Sequence, residues 1–147
     1  MNYRELAERA LKKLPDSYAP YSKFHVAAAL LCEDGTVFEG VNIENASYAP
    51  TICAERCAVS RAIAEGHRNF RAIAIVGCRE EDLHTEAYQT ALRVPADCPP
   101  CGVCRQVLRE FCKPQLFEII LAKAPDDYRV YTLEKLLPLS FGPENLC

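Results

Sequence analysis

The sequence predicts an α/β protein, a three-layer α/β/α sandwich built around a mixed five-stranded sheet. Short apolar runs of strand length alternate with segments in which apolar residues recur at helical spacing. An Asp-Gly turn at 34–35 predicts a hairpin between the first two strands. A helix separates the third strand from the fourth, which implies a parallel pair with a right-handed crossover. A sheet with both kinds of connection is mixed and carries helices on both faces.

Each element is predicted from its periodicity and from the residues that end it. Leu6 and Ala10 lie on one face of the first helix, which Pro15 ends. Gly66 is a good C-terminal cap for the second helix, and Pro100 precedes the third, where proline is tolerated in the first turn. The predicted strands are 24–32, 37–43, 71–78, 116–122 and 128–132, and the predicted helices are 2–14, 53–66, 101–111 and 133–137.

Length and composition favour one globular domain over 1–147 and exclude several classes of partner. The 147 residues, half of them hydrophobic and a quarter charged, can form one sizeable core. A net charge of -3 and a pI near 5.6 argue against a nucleic acid polymer, which favours a basic face. We find no signal peptide and no apolar run of the roughly 18 residues that suggest a membrane span. We therefore expect a cytoplasmic protein without a membrane partner.

Nine cysteines are many for a chain of 147 residues. Their odd number and the missing export signal argue against a disulfide scaffold, so metal binding, catalysis and core packing remain. Cys101 and Cys104 form a C-x-x-C pair at a helix start, but a redox motif would follow a strand directly, whereas a proline-rich loop precedes this one. Cys53 begins another helix. Helix N-termini favour thiolates, so these three cysteines predict a zinc site.

Cys57 decides what kind of zinc site this is. If Cys57 is the fourth ligand, the site is closed and the protein is a zinc-stapled binding module. If Cys57 only packs in the core, the fourth position is open and the site is catalytic. Glu55 favours the open site, because a carboxylate two residues from a ligand can exchange a proton with water there. Arg56 could donate to the sulfurs and offset their negative charge, although a surface pair with Glu55 is the simpler role.

Five blocks of sequence carry a family resemblance along nearly the whole chain. They are PYSKF (20–24), VNIENASY (41–48), TICAER (51–56), PCGVCRQV (100–107) and EKLLPLSFGPENL (134–146). With C-x-E followed by P-C-x-x-C, they resemble the small zinc-dependent cytidine deaminases of pyrimidine salvage. The resemblance implies a cytidine deaminase-like fold, one Zn²⁺ per chain, and hydrolytic deamination of cytidine and deoxycytidine to uridine and deoxyuridine with release of ammonia.

The resemblance also implies roles at the zinc and at the base. Cys53, Cys101 and Cys104 would hold the metal. Glu55 would move protons while water attacks C4 of the ring and ammonia leaves. Backbone groups near Ala54 would meet the edge of the base.

Further positions are implied to bind the substrate. Phe24 would pack against the pyrimidine, and Asn42 and Glu44 would hold the ribose hydroxyls. A core aromatic, a turn-forming amide and a solvated carboxylate are the simpler explanations of these three residues. A carboxylate would repel a phosphate, which favours a nucleoside over a nucleotide.

The resemblance further implies a homotetramer with shared active sites. Ala46, Tyr48 and Phe141 would reach the site of a neighbouring subunit. The prolines and glycine of LPLSFGPENL prevent a continuing helix, so this tail exposes apolar side chains that suit an interface. Packing of Phe141 onto the core of its own chain is the alternative.

The chain departs from the family pattern in two regions besides Cys57. His25 and Ala27 stand where proline and glycine are common, which affects the strand near Phe24. The connection 79–99 is longer than usual, and its apolar residues recur at helical spacing, as in an extra short helix. A solvated surface insertion is the favoured interpretation, and a rim element that adjusts substrate access is the alternative. A rim element of this kind could change the substrate to a related small amino-pyrimidine nucleoside.

Overall fold

A computed structural model describes residues 1–147 and contains one mixed sheet in the order β2-β1-β3-β4-β5. The strands are β1 (Phe24–Cys32), β2 (Val37–Val41), β3 (Phe70–Arg79), β4 (Glu118–Ala124) and β5 (Asp127–Thr132). β3 and β4 pair in parallel, and all other neighbours are antiparallel. The predicted hairpin and the predicted parallel crossover are both confirmed.

Five α-helices accompany the sheet, with short 3-10 turns at 14–16, 80–84 and 143–145. The helices are α1 (Tyr3–Lys13), α2 (Ala54–Ala64), α3 (Glu86–Ala91), α4 (Gly102–Phe111) and α5 (Leu133–Leu136). Asn2 and Glu5 cap α1 reciprocally, which satisfies backbone N–H groups that have no helical partner. Gly66 has φ of 92°, the left-handed conformation that glycine tolerates at a helix end. No helix is both long and apolar enough to cross a bilayer.

Both faces of the sheet are covered, which confirms the three-layer sandwich. One core of 17 buried residues lies between the sheet and α1, and a second core of 17 lies on the other face against α2 and α4. Side chains of β1 alternate between them, with Ala27 and Ala29 in the first and Ala28 and Leu30 in the second. These small alanines let α1 and α2 approach β1 closely from its two faces. A single domain over 1–147 stays a prediction, although all five strands belong to one sheet.

The structure overturns the interpretation of 79–99 as a solvated surface insertion. Leu83, Tyr88 and Val94 belong to the α1-side core, and the Tyr88 hydroxyl donates to the Leu11 carbonyl at 2.7 Å. The connection is therefore an ordered part of the outer layer. Burial of these apolar side chains stabilises it, since each fully buried large apolar side chain contributes about 1.5–3 kcal/mol.

The extra short helix in this connection is present, but its buried face differs from the predicted one. The spacing of Leu83, Ala87 and Ala91 suggested one continuous helical face, yet both alanines are exposed. A 3-10 turn at 80–84 precedes α3, and the Thr85 side chain caps α3 by accepting from the Tyr88 amide at 3.3 Å. The break at Thr85 rotates α3 so that Tyr88 faces the core.

β1 is regular through the two unusual positions near its start. Ala27 is fully buried in the α1-side core. His25 points to the same face and is 7% exposed, and neither of its ring nitrogens has a hydrogen-bond partner. The Glu80 carboxylate lies 3.6 Å from its Nε2 atom. Both departures from the family pattern thus lie on the face of β1 away from α2.

Candidate active site

Two helix N-termini meet at one end of the sheet and bring three thiols together. Cys53 is the N-cap residue of α2 and Cys101 is that of α4. The sulfurs of Cys53, Cys101 and Cys104 lie within 4.8 Å of one another, with 3.9 Å from Cys53 to Cys101 and 3.5 Å from Cys101 to Cys104. Residues 48 positions apart in sequence thereby form one cluster.

A glycine in β2 allows α2 to lie where it does. A Cβ atom on Gly40 would collide with the Ala54 carbonyl and the Ala58 amide in the first turns of α2. Any other residue would therefore displace the helix start that carries Cys53 and Glu55. The position of the thiol cluster thus depends on a residue outside it.

The surroundings of the three thiols favour negative charge on sulfur. The pKa of Cys53 lies well below its ordinary value, because the neighbouring Cys104 thiol and the Arg56 guanidinium both favour its thiolate, and Arg56 donates from Nη2 at 3.4 Å. The pKa of Cys104 is raised, since the adjacent Cys53 sulfur and burial both disfavour its thiolate. Arg56 thus contacts sulfur, as the sequence suggested, rather than pairing with Glu55 on the surface.

The donor set fits a Zn²⁺ ion. Zinc takes thiolate ligands at helix N-termini readily, and three protein ligands leave the fourth position for water or substrate. Cys57 is not a member of the three-thiol group. The geometry therefore offers no fourth thiolate for a closed four-cysteine site.

Glu55 is buried directly beside the thiols. It is 4% exposed, and its Oε2 atom accepts from the Cys104 thiol at 3.3 Å. Burial raises the pKa of this carboxyl, because the charged form loses hydration. A buried carboxyl next to a set of possible metal ligands can accept a proton and pass it on.

A cavity of about 340 Å³ opens over Cys53, Cys101 and Glu55. Most residues that the sequence assigned to the site line this cavity. They are Phe24, Asn42, Glu44, Cys53, Ala54, Glu55 and Cys101. The cavity size lies within the range of small-molecule sites.

Asn42 and Glu44 are fixed by hydrogen bonds to the start of β1 and the loop before it. The Asn42 side chain donates to the Phe24 carbonyl at 2.9 Å and accepts from the Val26 amide at 2.9 Å. Glu44 Oε1 accepts from the amides of Tyr21 and Ser22, each at 3.1 Å. Although burial acts in the opposite direction, hydrogen bonds from Ser22 lower the pKa of Glu44. This carboxylate is therefore negative at neutral pH.

The residues assigned to a neighbouring subunit lie outside this cavity. Ala46 is exposed, Tyr48 is 82% exposed, and Phe141 is 59% exposed. Tyr48 lines a second, adjoining cavity of about 360 Å³ that shares Glu44 with the first. Arg109 holds the tail on α4 through Ser140 Oγ at 2.8 Å and through Glu144, and Gln106 donates to the Phe141 carbonyl at 2.9 Å. The tail thus presents the Phe141 ring outward.

Comparison with known proteins identifies the family. The family model described as the cytidine and deoxycytidylate deaminase zinc-binding region matches residues 1–118. The chain belongs to this deaminase family. It is 40% identical to a cytidine deaminase of Sporosarcina psychrophila over 99% of this chain and 96% of the relative. It is 39% identical to a cytidine deaminase of Halalkalibacterium halodurans over 99% of this chain and 98% of the relative. A crystal structure of cytidine deaminase from Burkholderia pseudomallei is 42% identical, with a TM-score of 0.79 over 96% of this chain and 100% of that one.

Sequence reasoning missed part of the cavity wall of this deaminase. Cys98 and Pro99 also line it, at the end of the long 79–99 connection. Burial raises the pKa of Cys98 to about 12, so its thiol is neutral. Cys98 and Cys101 also have C-x-x-C spacing, which could have indicated that Cys98 lies near the site. The pair of Cys101 and Cys104 has the same spacing and begins a helix, so it was the stronger indication.

A second group of possible metal ligands lies elsewhere in the fold. The ligand atoms of Cys32, Asp34 and His67 are within 4.8 Å of one another. Cys32 ends β1 and His67 follows α2, so this group lies at the opposite end of both elements from Cys53 and Phe24. It is therefore separate from the cavity of the family site.

Proposed function

We propose that this chain catalyses zinc-dependent hydrolytic deamination of cytidine and deoxycytidine to uridine and deoxyuridine, with release of ammonia, in pyrimidine salvage. One observation carries the proposal: in a member of the deaminase family, Cys53, Cys101 and the buried Glu55 carboxyl form the floor of a cavity of about 340 Å³, and the buried Cys104 completes the three-thiol group beside it. The rest of the mechanism follows from the side chains around that floor.

Cys53, Cys101 and Cys104 would hold one zinc ion per chain. Bound zinc lowers the pKa of a water ligand to about 7 and polarises it for attack. Arg56 donates to Cys53 and thereby offsets the negative charge of three thiolates, which keeps the site electrophilic. The short distances among the three sulfurs, and from Arg56 to Cys53, support these roles.

Glu55 would transfer the protons that the reaction requires. Water adds to C4 of the ring, and one of its protons must reach the ring nitrogen next to C4 while another leaves with ammonia. Burial raises the pKa of this carboxyl, so it holds a proton more readily than a solvated carboxyl and can accept one proton and pass it on. Burial keeps bulk water away from this transfer.

The other cavity residues would orient a nucleoside. The Phe24 ring would pack on the pyrimidine, and the backbone at Ala54 would meet the polar edge of the base. Asn42 holds the strand start that carries Phe24 and keeps one amide hydrogen for a ribose hydroxyl. The negative Glu44 accepts from ribose hydroxyls and repels a phosphate, which favours nucleosides over nucleotides.

Purified protein mixed with cytidine, deoxycytidine and cytidine 5′-monophosphate tests this function. Loss of cytidine absorbance with equal release of ammonia is expected for the two nucleosides, with much slower turnover of the monophosphate. Deamination of the monophosphate at the same rate would contradict the role of Glu44. A protein that binds zinc but deaminates none of the three would favour a binding module or the second candidate, a deaminase of a related amino-pyrimidine nucleoside.

We also propose a homotetramer in which Ala46, Tyr48 and Phe141 complete a neighbour's site. The outward Phe141 ring and the cavity beside Tyr48 support this arrangement. Phe141→Ala and Glu55→Gln, expressed separately, should each be weak or inactive. Mixed oligomers should regain activity, because one site then has both intact residues. Activity no greater than the sum of the two variants would show that each chain uses its own Phe141.

Finally, we propose a cytoplasmic location, in agreement with the sequence prediction. All nine cysteines are free thiols, and a reducing compartment preserves such thiols.

A further inference from the structure

One wall of the cavity is made by a cysteine that fills the space above a glycine. Cys98 lines the cavity, and it packs on Gly77 of β3. A Cβ atom on Gly77 would lie 2.7 Å from Cys98 Sγ, 2.8 Å from Cys98 Cβ and 3.2 Å from a carbon of the Phe24 ring. Real Cβ atoms do not approach sulfur or carbon this closely, so position 77 has no room for a larger residue while Cys98 stays in place.

The strand pattern shows that Gly77 faces the cavity. Gly77 pairs with Val26 across the sheet, and Val26 lines the cavity. Cys78, the next residue, points to the α1-side core, because successive side chains of a strand alternate. Gly77 is the only glycine of β3, and it lies behind Cys98 and Phe24, two residues that line the cavity.

The chemistry of a pyrimidine decides which of its edges meets Cys98. The pyrimidine ring has two edges on either side of C4. One edge carries the ring nitrogen next to C4 and the C2 carbonyl, and the other carries the C5–H and C6–H groups. The polar edge needs hydrogen-bonding partners, which the backbone at the start of α2 provides. The neutral thiol of Cys98 and the ring of Pro99 form a weakly polar surface, which can pack against the C–H edge without leaving a hydrogen-bonding group unpaired.

We propose that Cys98, seated over Gly77, determines the size of substituent that the enzyme accepts at C5 of the pyrimidine. This inference rests on the proposed function, since it assumes a cytidine ring over Phe24 and Glu55. It also gives the long 79–99 connection a role, because that connection ends by placing Cys98 in the wall. The connection thereby acts on the shape of the base pocket.

Kinetics with cytidine and 5-methylcytidine test the proposal. The ratio of kcat/KM for 5-methylcytidine to that for cytidine should rise about 10-fold in Cys98→Ala, since one methyl group in a tight apolar pocket is worth roughly 10–200-fold. Cys78→Ala is the matched control, because it makes the same change one residue from Gly77 on the opposite face. Its ratio should equal that of the wild type.

A reciprocal pair of variants tests the contact itself. Gly77→Ala should lower kcat/KM for cytidine by about 10-fold or more, because the new methyl group pushes Cys98 and Phe24 into the cavity. Adding Cys98→Gly to Gly77→Ala removes both close atoms of residue 98 and should restore much of the activity. Failure of this rescue, in a double variant that folds and binds zinc, would contradict the packing argument.

The outcomes separate this inference from the proposed function. Absence of cytidine turnover in the wild type would reject the function. Normal cytidine turnover with an unchanged substrate ratio in Cys98→Ala would reject the inference alone. A rise of the ratio in Cys78→Ala equal to that in Cys98→Ala would show a general loosening of the fold and would also reject it.

Discussion

Two clusters of metal-ligating side chains occupy opposite ends of β1 and α2, and they differ in their electrostatic surroundings. In each cluster the ligand atoms lie within 4.8 Å of one another. Cys53, Cys101 and Cys104 lie at the start of α2 and α4. The far cluster, which consists of Cys32, Asp34 and His67, lies beyond the end of α2. Proximity of ligands alone therefore does not separate a metal centre from an ordinary group of side chains.

The direction of α2 explains the difference. At its N-terminus the partial positive charge of the helix favours thiolates, and Arg56 adds a full positive charge. At its C-terminus the partial charge is negative, and burial raises the pKa of Cys32 to about 11. The Arg68 guanidinium near this end donates to the Ile63 and His67 carbonyls, so its hydrogen bonds stabilise backbone oxygens and not a thiolate. One end of the helix prepares thiolates, whereas the other keeps its thiol protonated.

Removal of a ligand from the first cluster should have the largest effect. Cys101→Ala should lose its zinc and all measurable activity, and it should unfold more readily, since metal binding is coupled to folding. Metal content by elemental analysis and thermal unfolding check this. Cys32→Ser and Cys57→Ser are matched controls and should keep one zinc per chain. Loss of zinc from Cys57→Ser would restore the closed four-cysteine interpretation.

Glu55→Gln should have the second largest effect. The amide keeps the shape and the hydrogen-bonding capacity of the side chain but cannot carry the proton. We expect kcat to fall by at least about 10²–10⁴-fold, the usual contribution of general acid–base catalysis, while the zinc content stays unchanged. Steady-state kinetics combined with metal analysis measures both. Turnover close to that of the wild type would remove Glu55 from the mechanism.

Arg56→Gln should have an intermediate effect, because in the proposed site Arg56 donates to the Cys53 sulfur and does not bind the metal itself. Loss of the hydrogen bond to Cys53 should weaken zinc binding by about 10–100-fold, which is typical for such partners of metal ligands. Competition with a zinc chelator measures this affinity. Arg68→Gln, at the other end of the same helix, is the control. An equal loss in both variants would indicate a general effect of removing positive charge.

The ends of α2 also show what the sequence could predict and what it could not. The position of Cys53, Glu55 and Arg56 at the start of α2 was predictable, because a helix start fixes the spacing and the direction of neighbouring residues. The three-layer sandwich followed from strand and helix periodicity for the same local reason. By contrast, contacts between distant segments, such as Gly40 under α2 or Cys98 over Gly77, leave no periodic signal.

The 79–99 connection shows a further limit of local patterns. Its spacing suggested a continuous helical face through Ala87, whereas the 3-10 turn at 80–84 changes the phase and buries Tyr88 instead. A change of helical type in the middle of a segment shifts every following residue around the axis. Prediction of the buried face therefore required the turn type, which the sequence did not specify.

His67→Asn should have the smallest effect, and it tests the comparison most directly. The imidazole contacts the Phe38 ring edge-on at 5.0 Å between centroids, and its Nδ1 atom lies 3.4 Å from Asp34 Oδ2. Asparagine loses the ring contact but retains a polar group near Asp34, so we expect a loss of about 1 kcal/mol in the free energy of unfolding. Chemical denaturation measures this loss, and the zinc content should stay at one per chain. Phe38→Leu removes the same ring contact by changing its other partner, and it should lower the free energy of unfolding by a similar amount. If the wild type instead holds two zinc ions and His67→Asn holds one, the far cluster is a metal centre. Helix direction would then be insufficient to distinguish the two ends of α2.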